Sequence, residues 1–285
     1  MSTPNSDQSF ETYAEAAAKG DPKAQFTLGV FYEKGLGVKA DPAAAIKWYS
    51  LAAENENPNA QVNLGAMYKR GLGVGRDFKE ALKWYQLAAK HGEPLGQYNL
   101  GRMYEDGCGV IKDTTTAIIW YKKAAAKKFT PAKVNLGLLY KKGQGVARNY
   151  IKAVRLFREA AKDGDPRGQY NLGIMYKKGL GIKENEREAI KWFRNAAEHG
   201  HLAAQVNLGS MHEYGIGITH DLDKALKWYS AAARENYAAG QYSLASLYEK
   251  GKGVDEDQSK AIELYKKAAN QGFTHAQKAL ERLGQ

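Results

Sequence analysis

A Leu-Gly pair returns every 36 residues along this 285-residue chain. It stands at Leu28-Gly29, Leu64-Gly65, Leu100-Gly101, Leu136-Gly137, Leu172-Gly173 and Leu208-Gly209, then changes to Leu244-Ala245 and Leu280-Glu281. No residue is inserted or lost between copies. A fixed period of this size signals stacked supersecondary units, each burying its apolar face only against its neighbours.

The unit 21–56 shows what each copy contains. Its first half, DPKAQFTLGVFYEKG, places Ala24, Leu28 and Tyr32 at i, i+4 and i+8, which is helical spacing. Asp21 is the expected N-cap, Pro22 suits the first helical position, and Gly35 is free to end the helix at positive φ. The second half, DPAAAIKWYSLAAEN, begins the same way at Asp41-Pro42 and carries Ala45, Trp48, Tyr49, Ala52 and Ala53 on one face. A glycine loop separates the halves: GLGV at 35–38 and 71–74, GCGV at 107–110, GQGV at 143–146, GLGI at 179–182, GIGI at 215–218 and GKGV at 251–254. The pattern predicts two antiparallel helices per repeat. Glycine costs about 1 kcal/mol against alanine inside a helix. Its return at each Leu-Gly therefore predicts close packing, with Gly29 and Ala45 between helix backbones and Ala52-Ala53 admitting an aromatic ring.

The ends read as half repeats. Residues 10–20 carry Tyr13, Ala16 and Ala17 in the register of a second helix, and residues 273–285 carry Ala276 and Leu280 in that of a first. The expected organisation is a disordered polar start at 1–9, a capping helix at 10–20, seven repeats across 21–272 (21–56, 57–92, 93–128, 129–164, 165–200, 201–236, 237–272) and a capping helix at 273–285. One continuous array, and a monomer, are expected.

Three motifs recur: an A-x-x-x-L-G-x-x-Y-x-x-G first helix, a G-x-G-V loop and an A-x-x-W-Y-x-x-A-A second helix. Together they resemble the Sel-1-like repeat family, a relative of tetratricopeptide repeats, over nearly the whole chain. The resemblance implies an all-α fold, a right-handed superhelical α-solenoid of seven 36-residue helix-turn-helix repeats with a half repeat at each end. It also implies that first helices line a concave face, and that the chain is a non-catalytic adaptor or scaffold for other proteins. Cysteine-rich members of this repeat class carry a claim of penicillin hydrolysis; this chain has a single cysteine, Cys108, and no S-x-x-K motif.

Composition narrows the partners. The net charge is +11, concentrated in residues 61–200, which hold 27 Lys/Arg against 13 Asp/Glu; residues 1–60 hold 5 against 8, and residues 201–285 hold 10 against 10. A positive field attracts an acidic partner and speeds encounter. Nucleic acid is the alternative polyanion, disfavoured because no RNA-binding signature is present and the aromatics sit at core positions. No run of 18 apolar residues predicts a membrane span. The start, MSTPNSDQSF, lacks an apolar leader core, so the expected compartment is the cytoplasm, or elsewhere by signal-less export. The six histidines form no H-E-x-x-H motif, the glycine loops lack a phosphate-loop ending, and neither cofactor nor metal is expected.

The residue before each Leu-Gly offers a binding surface: Thr27, Asn63, Asn99, Asn135, Asn171, Asn207 and Ser243. Asparagine is a poor interior helix residue. It lies about 100° from the Ala-Leu-Tyr stripe, at that stripe's edge. The same flank carries Tyr98, Tyr170 and Tyr242, and near the helix ends Arg70, Lys142 and Lys178. An amide both donates and accepts, so a ladder of amides can pair with an extended peptide backbone. Peptide-binding tetratricopeptide proteins use an asparagine at this place, so the resemblance implies backbone contacts at Asn63, Asn99, Asn135, Asn171 and Asn207, with Arg70, Lys142 and Lys178 meeting acidic groups. The other reading of these asparagines is a bond within or between helices that holds the stack.

Overall fold

The computed structural model describes residues 6–285. Residues 1–5 of the expected disordered start lie outside the described residues, and from Ser6 the chain is already helical. Contacts gather the chain into two compact units, Met1–Ala147 and Arg148–Gln285. The first holds α1 (Ser6–Ala18), α2 (Pro22–Lys34), α3 (Pro42–Glu54), α4 (Pro58–Arg70), α5 (Phe78–Lys90), α6 (Pro94–Asp106), α7 (Thr114–Ala126) and α8 (Thr130–Lys142). The second holds α9 (Tyr150–Lys162), α10 (Pro166–Lys177), α11 (Glu186–Glu198), α12 (Leu202–Tyr214), α13 (Leu222–Arg234), α14 (Ala238–Lys250), α15 (Gln258–Asn270) and α16 (Thr274–Arg282). Among the described residues there is no strand, and none of the helices is long and apolar enough to cross a membrane. Even-numbered helices from α2 onward are the first helices of the repeats and odd-numbered ones from α3 the second.

Helix boundaries follow the predicted chemistry. Asp21 Oδ1 accepts from the backbone N–H groups of Lys23 and Ala24 at 2.8 and 3.3 Å, with Pro22 opening α2. Gly35 closes it at φ 70°, and the N–H groups of Gly35 and Leu36 both donate to the Phe31 carbonyl. The second loop glycine has a different task. Gly73 also has positive φ (71°), and a Cβ there would lie 2.5 Å from the backbone of Pro42. Gly181 meets Tyr150 in the same way. Each such glycine lets a loop sit directly on the first turn of the preceding repeat's second helix.

The small residues trade the roles that the sequence suggests. A Cβ on Gly29 would lie 2.5 Å from the Tyr49 ring, and one on Gly173 2.7 Å from the Phe193 ring. The Leu-Gly glycine therefore receives a ring from the second helix. The alanine pair instead receives a backbone: a Cβ on Gly96 would lie 2.6 Å from Ala88 Cβ, and one on Gly240 2.6 Å from Ala232 Cβ. Ala45, Tyr49, Ala52 and Leu64 in the first unit, and Ala189, Phe193, Ala196 and Leu208 in the second, are fully buried. Glu281 is exposed at the position where no ring arrives.

A glutamine column ties successive repeats. Gln25, Gln61, Gln97, Gln169 and Gln205 each donate Nε2 to a carbonyl in the last turn of the preceding helix, at Ala17, Ala53, Ala89, Ala161 and Ala197, over 3.1–3.4 Å. Each of these carbonyls also accepts a backbone N–H three residues on, as Gly20 donates to Ala17 and Glu56 to Ala53, so the buried amide fills the carbonyl's second acceptor site and links the two helices.

Candidate functional site on the first helices

The asparagine column lies beside a second column, the ring at Tyr49, Tyr85, Tyr121, Phe157, Phe193, Tyr229 and Tyr265. Four of these phenols donate to a glutamate sixteen residues earlier: Tyr49 to Glu33 (2.6 Å), Tyr121 to Glu105 (2.5 Å), Tyr229 to Glu213 (3.0 Å) and Tyr265 to Glu249 (2.7 Å). Burial first, and the carboxylate second, push the Tyr49 and Tyr121 phenols far above the ordinary range, so they remain proton donors. The two phenylalanines come with Lys141 and Lys177 at the glutamate position.

This column decides what each asparagine does. Asn63 Nδ2 donates to the Tyr49 hydroxyl at 3.0 Å, and Asn135 Nδ2 to the Tyr121 hydroxyl at 3.2 Å. Asn171 and Asn207 turn back to carbonyls of their own helices, Arg167 and Ala203, both at 2.8 Å. Asn171 is buried, while Asn63, Asn99, Asn135 and Asn207 are half-buried. At four of the five positions an amide N–H is already engaged inside the protein.

The flanking aromatics are half-buried and packed. Tyr98 lies 5.7 Å from Tyr121 and 5.3 Å from Phe129; Tyr242 lies 5.5 Å from Tyr265 and 5.4 Å from Phe273; Tyr170 stacks on His201 at 4.4 Å. Phe129 and Phe273 stand at N-cap positions and make no side-chain cap bond. A lost cap costs about 1 kcal/mol, and an aromatic pair returns about 0.5–1.5 kcal/mol. The ring contact thus replaces the cap. Arg70, Lys142 and Lys178 are exposed at the ends of α4, α8 and α10, with Lys178 as the C-cap.

Two places gather the candidate residues. In the second unit, α12 and α14 enclose a groove of about 310 Å³ that brings together Asn207, Tyr242, Ser243 and Lys250 with Ser210, Ser246 and the exposed Tyr214. Its carboxylate, Glu213, is held by Tyr229 and by Lys252 Nζ at 3.1 Å. Tyr214 occupies the column of Arg70, Lys142 and Lys178, where cations catch the eye and a lone aromatic does not.

In the first unit the glutamate position of Tyr85 holds Lys69. Burial lifts the Tyr85 phenol to about 12, against the pull of Arg70 and Arg102, and no carboxylate of the chain contributes. Burial, then Arg102, holds the Lys69 amine below its usual range. Arg102 makes a 3.7 Å ion pair with Asp106 on the solvent side of α6. The spot combines the Tyr85 phenol on α5 with three cations on α4 and α6, and Asp106 is the carboxylate beside them. Among the described residues no cluster of His, Cys, Asp and Glu is arranged to hold a metal.

The last repeat contains an acid-sensitive contact. Burial pushes the Glu249 carboxyl upward, but the Tyr265 hydroxyl and the Arg282 guanidinium outweigh it and hold it below its ordinary 4.5. A carboxylate depressed in the folded state stabilises above that ordinary value and loses the contribution as pH falls through the lower folded value. Protection factors of the α16 amides, which divide out the intrinsic slowing of exchange in acid, are therefore expected to fall below about pH 4.5. Arg282→Ala is expected to exchange faster at pH 6 and to change less on acidification; equal profiles for both proteins would remove this role from Glu249.

The Sel1 repeat family matches residues 22–57, 58–93, 94–129, 130–165, 166–201, 202–237 and 238–273. A protective antigen of uropathogenic Escherichia coli strains with an SLR fold is 38% identical over 99% of this chain and 61% of its own, with a TM-score of 0.83. This chain thus spans less than two thirds of that protein. A Sel1 repeat protein from Oxalobacter formigenes is 34% identical over 97% of this chain and 81% of its own, with a TM-score of 0.80. No curated protein matches. Seven contiguous matches, the 36-residue period and an all-helical α-solenoid architecture agree: the chain belongs to the Sel1 repeat family.

Proposed function

We propose that this chain is a non-catalytic scaffold whose first helices receive an extended acidic segment of a partner protein. Sel1 repeat proteins are generally protein-interaction scaffolds rather than enzymes. The observation that carries the finer reading is Tyr85. In four repeats the equivalent phenol donates to an internal glutamate; at Tyr85 that place is taken by Lys69, with Arg70 and Arg102 beside it. A carboxylate supplied by the partner completes the missing acceptor. It gains a charge-assisted hydrogen bond and three cations in one place. Asn99, on α6, stands ready to meet the partner's backbone; in the second unit, the α12–α14 groove with Tyr214 and Lys250 is a separate polar surface.

The test uses a fluorescein-labelled decaglutamate peptide and anisotropy at two salt concentrations. Lys69→Glu restores the internal carboxylate of the other repeats and should weaken binding at least about tenfold, since one charge-assisted hydrogen bond is worth roughly 1.5–3 kcal/mol. The melting temperature should be maintained. Arg70→Glu with Arg102→Glu should have the same effect. Binding unchanged by either variant rejects the reading. Tighter binding of single-stranded oligothymidine than of the peptide, with a steep loss in salt, transfers the surface to nucleic acid.

A further inference from the structure

His212 stands where the other six repeats carry tyrosine: Tyr32, Tyr68, Tyr104, Tyr140, Tyr176 and Tyr248. Tyr248, followed like His212 by a lysine twelve residues on, shows what a tyrosine does beside such a lysine. The Tyr248 hydroxyl accepts from Lys260 Nζ at 2.7 Å, and the same ammonium lies 4.1 Å from the ring centroid. Lys224 is the equivalent of Lys260, one repeat earlier. Imidazole is shorter than phenol and does not fill the same space. Lys224 turns to Asp221 at 2.7 Å, and a cavity of about 270 Å³ opens between α11, the loop after α12, and α13.

The lining has a definite chemistry. His212 is only 3% exposed, and its Nδ1 has no hydrogen-bond partner within the protein. Its ring bonds the Thr219 backbone, which leaves Nδ1 as the unused nitrogen. Arg194 and Glu198 border the cavity from α11, and Lys224 and Lys227 from α13. Trp228 and Ile218 give it an apolar wall. Lys227 Nζ lies 5.6 Å from the Trp228 centroid. Burial, then Lys224, keeps the imidazole below its usual range, so near neutrality it is uncharged and Nδ1 is an acceptor.

We propose that this cavity binds a small organic anion. Arg194 and Lys227 meet the anionic oxygens, Trp228 and Ile218 cover the carbon body, and the short His212 ring leaves the room that a tyrosine would fill. The volume lies just under the roughly 300–1,000 Å³ of drug-sized pockets, which limits the ligand to about the size of one ring. The anion comes either from a free small molecule or from an acidic side chain of a bound protein. The cavity belongs to the second unit and Tyr85 to the first, and the inference does not depend on the proposed scaffold function.

Salicylate and phenyl phosphate are suitable probes, with uncharged catechol as control. Calorimetry should give a saturating isotherm for at least one anion, with a dissociation constant below about 1 mM, and none for catechol. The imidazole ¹⁵N resonances of His212 should shift with the same midpoint. His212→Tyr restores the residue of the other repeats, so it should fold with an unchanged or raised melting temperature and weaken the anion at least tenfold. Arg194→Ala, on an exposed side chain, should weaken it without altering stability. If His212→Tyr leaves decaglutamate binding intact, the source is a free small molecule; if both are lost, it is a partner's acidic side chain. No saturation by either anion, or equal affinity in His212→Tyr, overturns the proposal.

Discussion

Gly73→Ala should lower the unfolding free energy by about 2–4 kcal/mol, while Gly75→Ala two positions away should change it by less than about 0.5 kcal/mol. Gly73 has φ 71°, and alanine in that region costs about 1 kcal/mol or slightly more. Its Cβ would also fall 2.5 Å from the Pro42 carbonyl carbon and oxygen and 2.8 Å from Ala43 N. These are backbone atoms at the capped start of α3, where Asp41 fixes the first turn through Ala43 and Ala44. No rotamer change relieves the contact, so a further 1–3 kcal/mol of overpacking is expected. Gly75 has no atom within 4 Å of an added Cβ and no positive φ. Urea denaturation followed by circular dichroism measures both variants. Equal midpoints would mean that the loop is a permissive connector and that the seating of Gly73 on α3 contributes nothing.

That glycine also shows where sequence legibility ends. Helix number, capping residues and loop glycines were readable because their chemistry is local: Asp-Pro starts a helix and a positive-φ glycine ends one within a few residues. The first loop glycine acts within its own turn, whereas the second acts on Pro42, about thirty residues earlier, and a local reading cannot separate them. The exchange of roles between Gly29 and the Ala52-Ala53 pair has the same origin. Sequence spacing predicts that something approaches closely there, but whether a ring or a backbone arrives depends on tertiary placement. The glutamine column adjoins the Ala-Leu stripe in plain sight. Its meaning depends on the last-turn carbonyl of the preceding helix eight residues back, which becomes visible only once the stacking is known.

For the candidate site, the asparagine column was legible as a pattern but not as a set of contacts. Asn63 and Asn171 share a register, yet one donates to a phenol and the other to its own helix. What distinguishes them is the ring column and the residue sixteen positions before each ring. Tyr49 and Tyr121 each recruit both a glutamate and an asparagine, and Tyr229 and Tyr265 a glutamate without an asparagine; Phe157 and Phe193 offer no hydroxyl and leave Asn171 and Asn207 to their own helices. Tyr85 breaks the correlation, since it keeps the phenol and replaces the glutamate with Lys69. That break is present in the sequence. It becomes a signal only when the Glu33–Tyr49 and Glu105–Tyr121 contacts supply the rule that it violates.

The relay at Tyr121 allows this rule to be measured. Tyr121→Phe keeps the ring that fills the space above Gly101 and removes only the hydroxyl shared by Glu105 and Asn135. The loss should be about 1–2 kcal/mol, the value of a hydrogen bond to a charged group set against partial rescue by water at the half-buried glutamate. Tyr121→Ala also empties a fully buried ring site, which should add about 3–5 kcal/mol and make it the most damaging of these substitutions. Phe193 supplies the reference, because its ring sits over Gly173 in the same geometry without a hydroxyl. The cost of Tyr121→Ala minus that of Phe193→Ala should equal the cost of Tyr121→Phe to within about 0.5 kcal/mol if the repeats are energetically alike. A neutral Tyr121→Phe would show that the phenol–carboxylate pair only accompanies the packing. Tyr85 would then be an ordinary core tyrosine, and its missing glutamate would no longer support recruitment of an acidic partner.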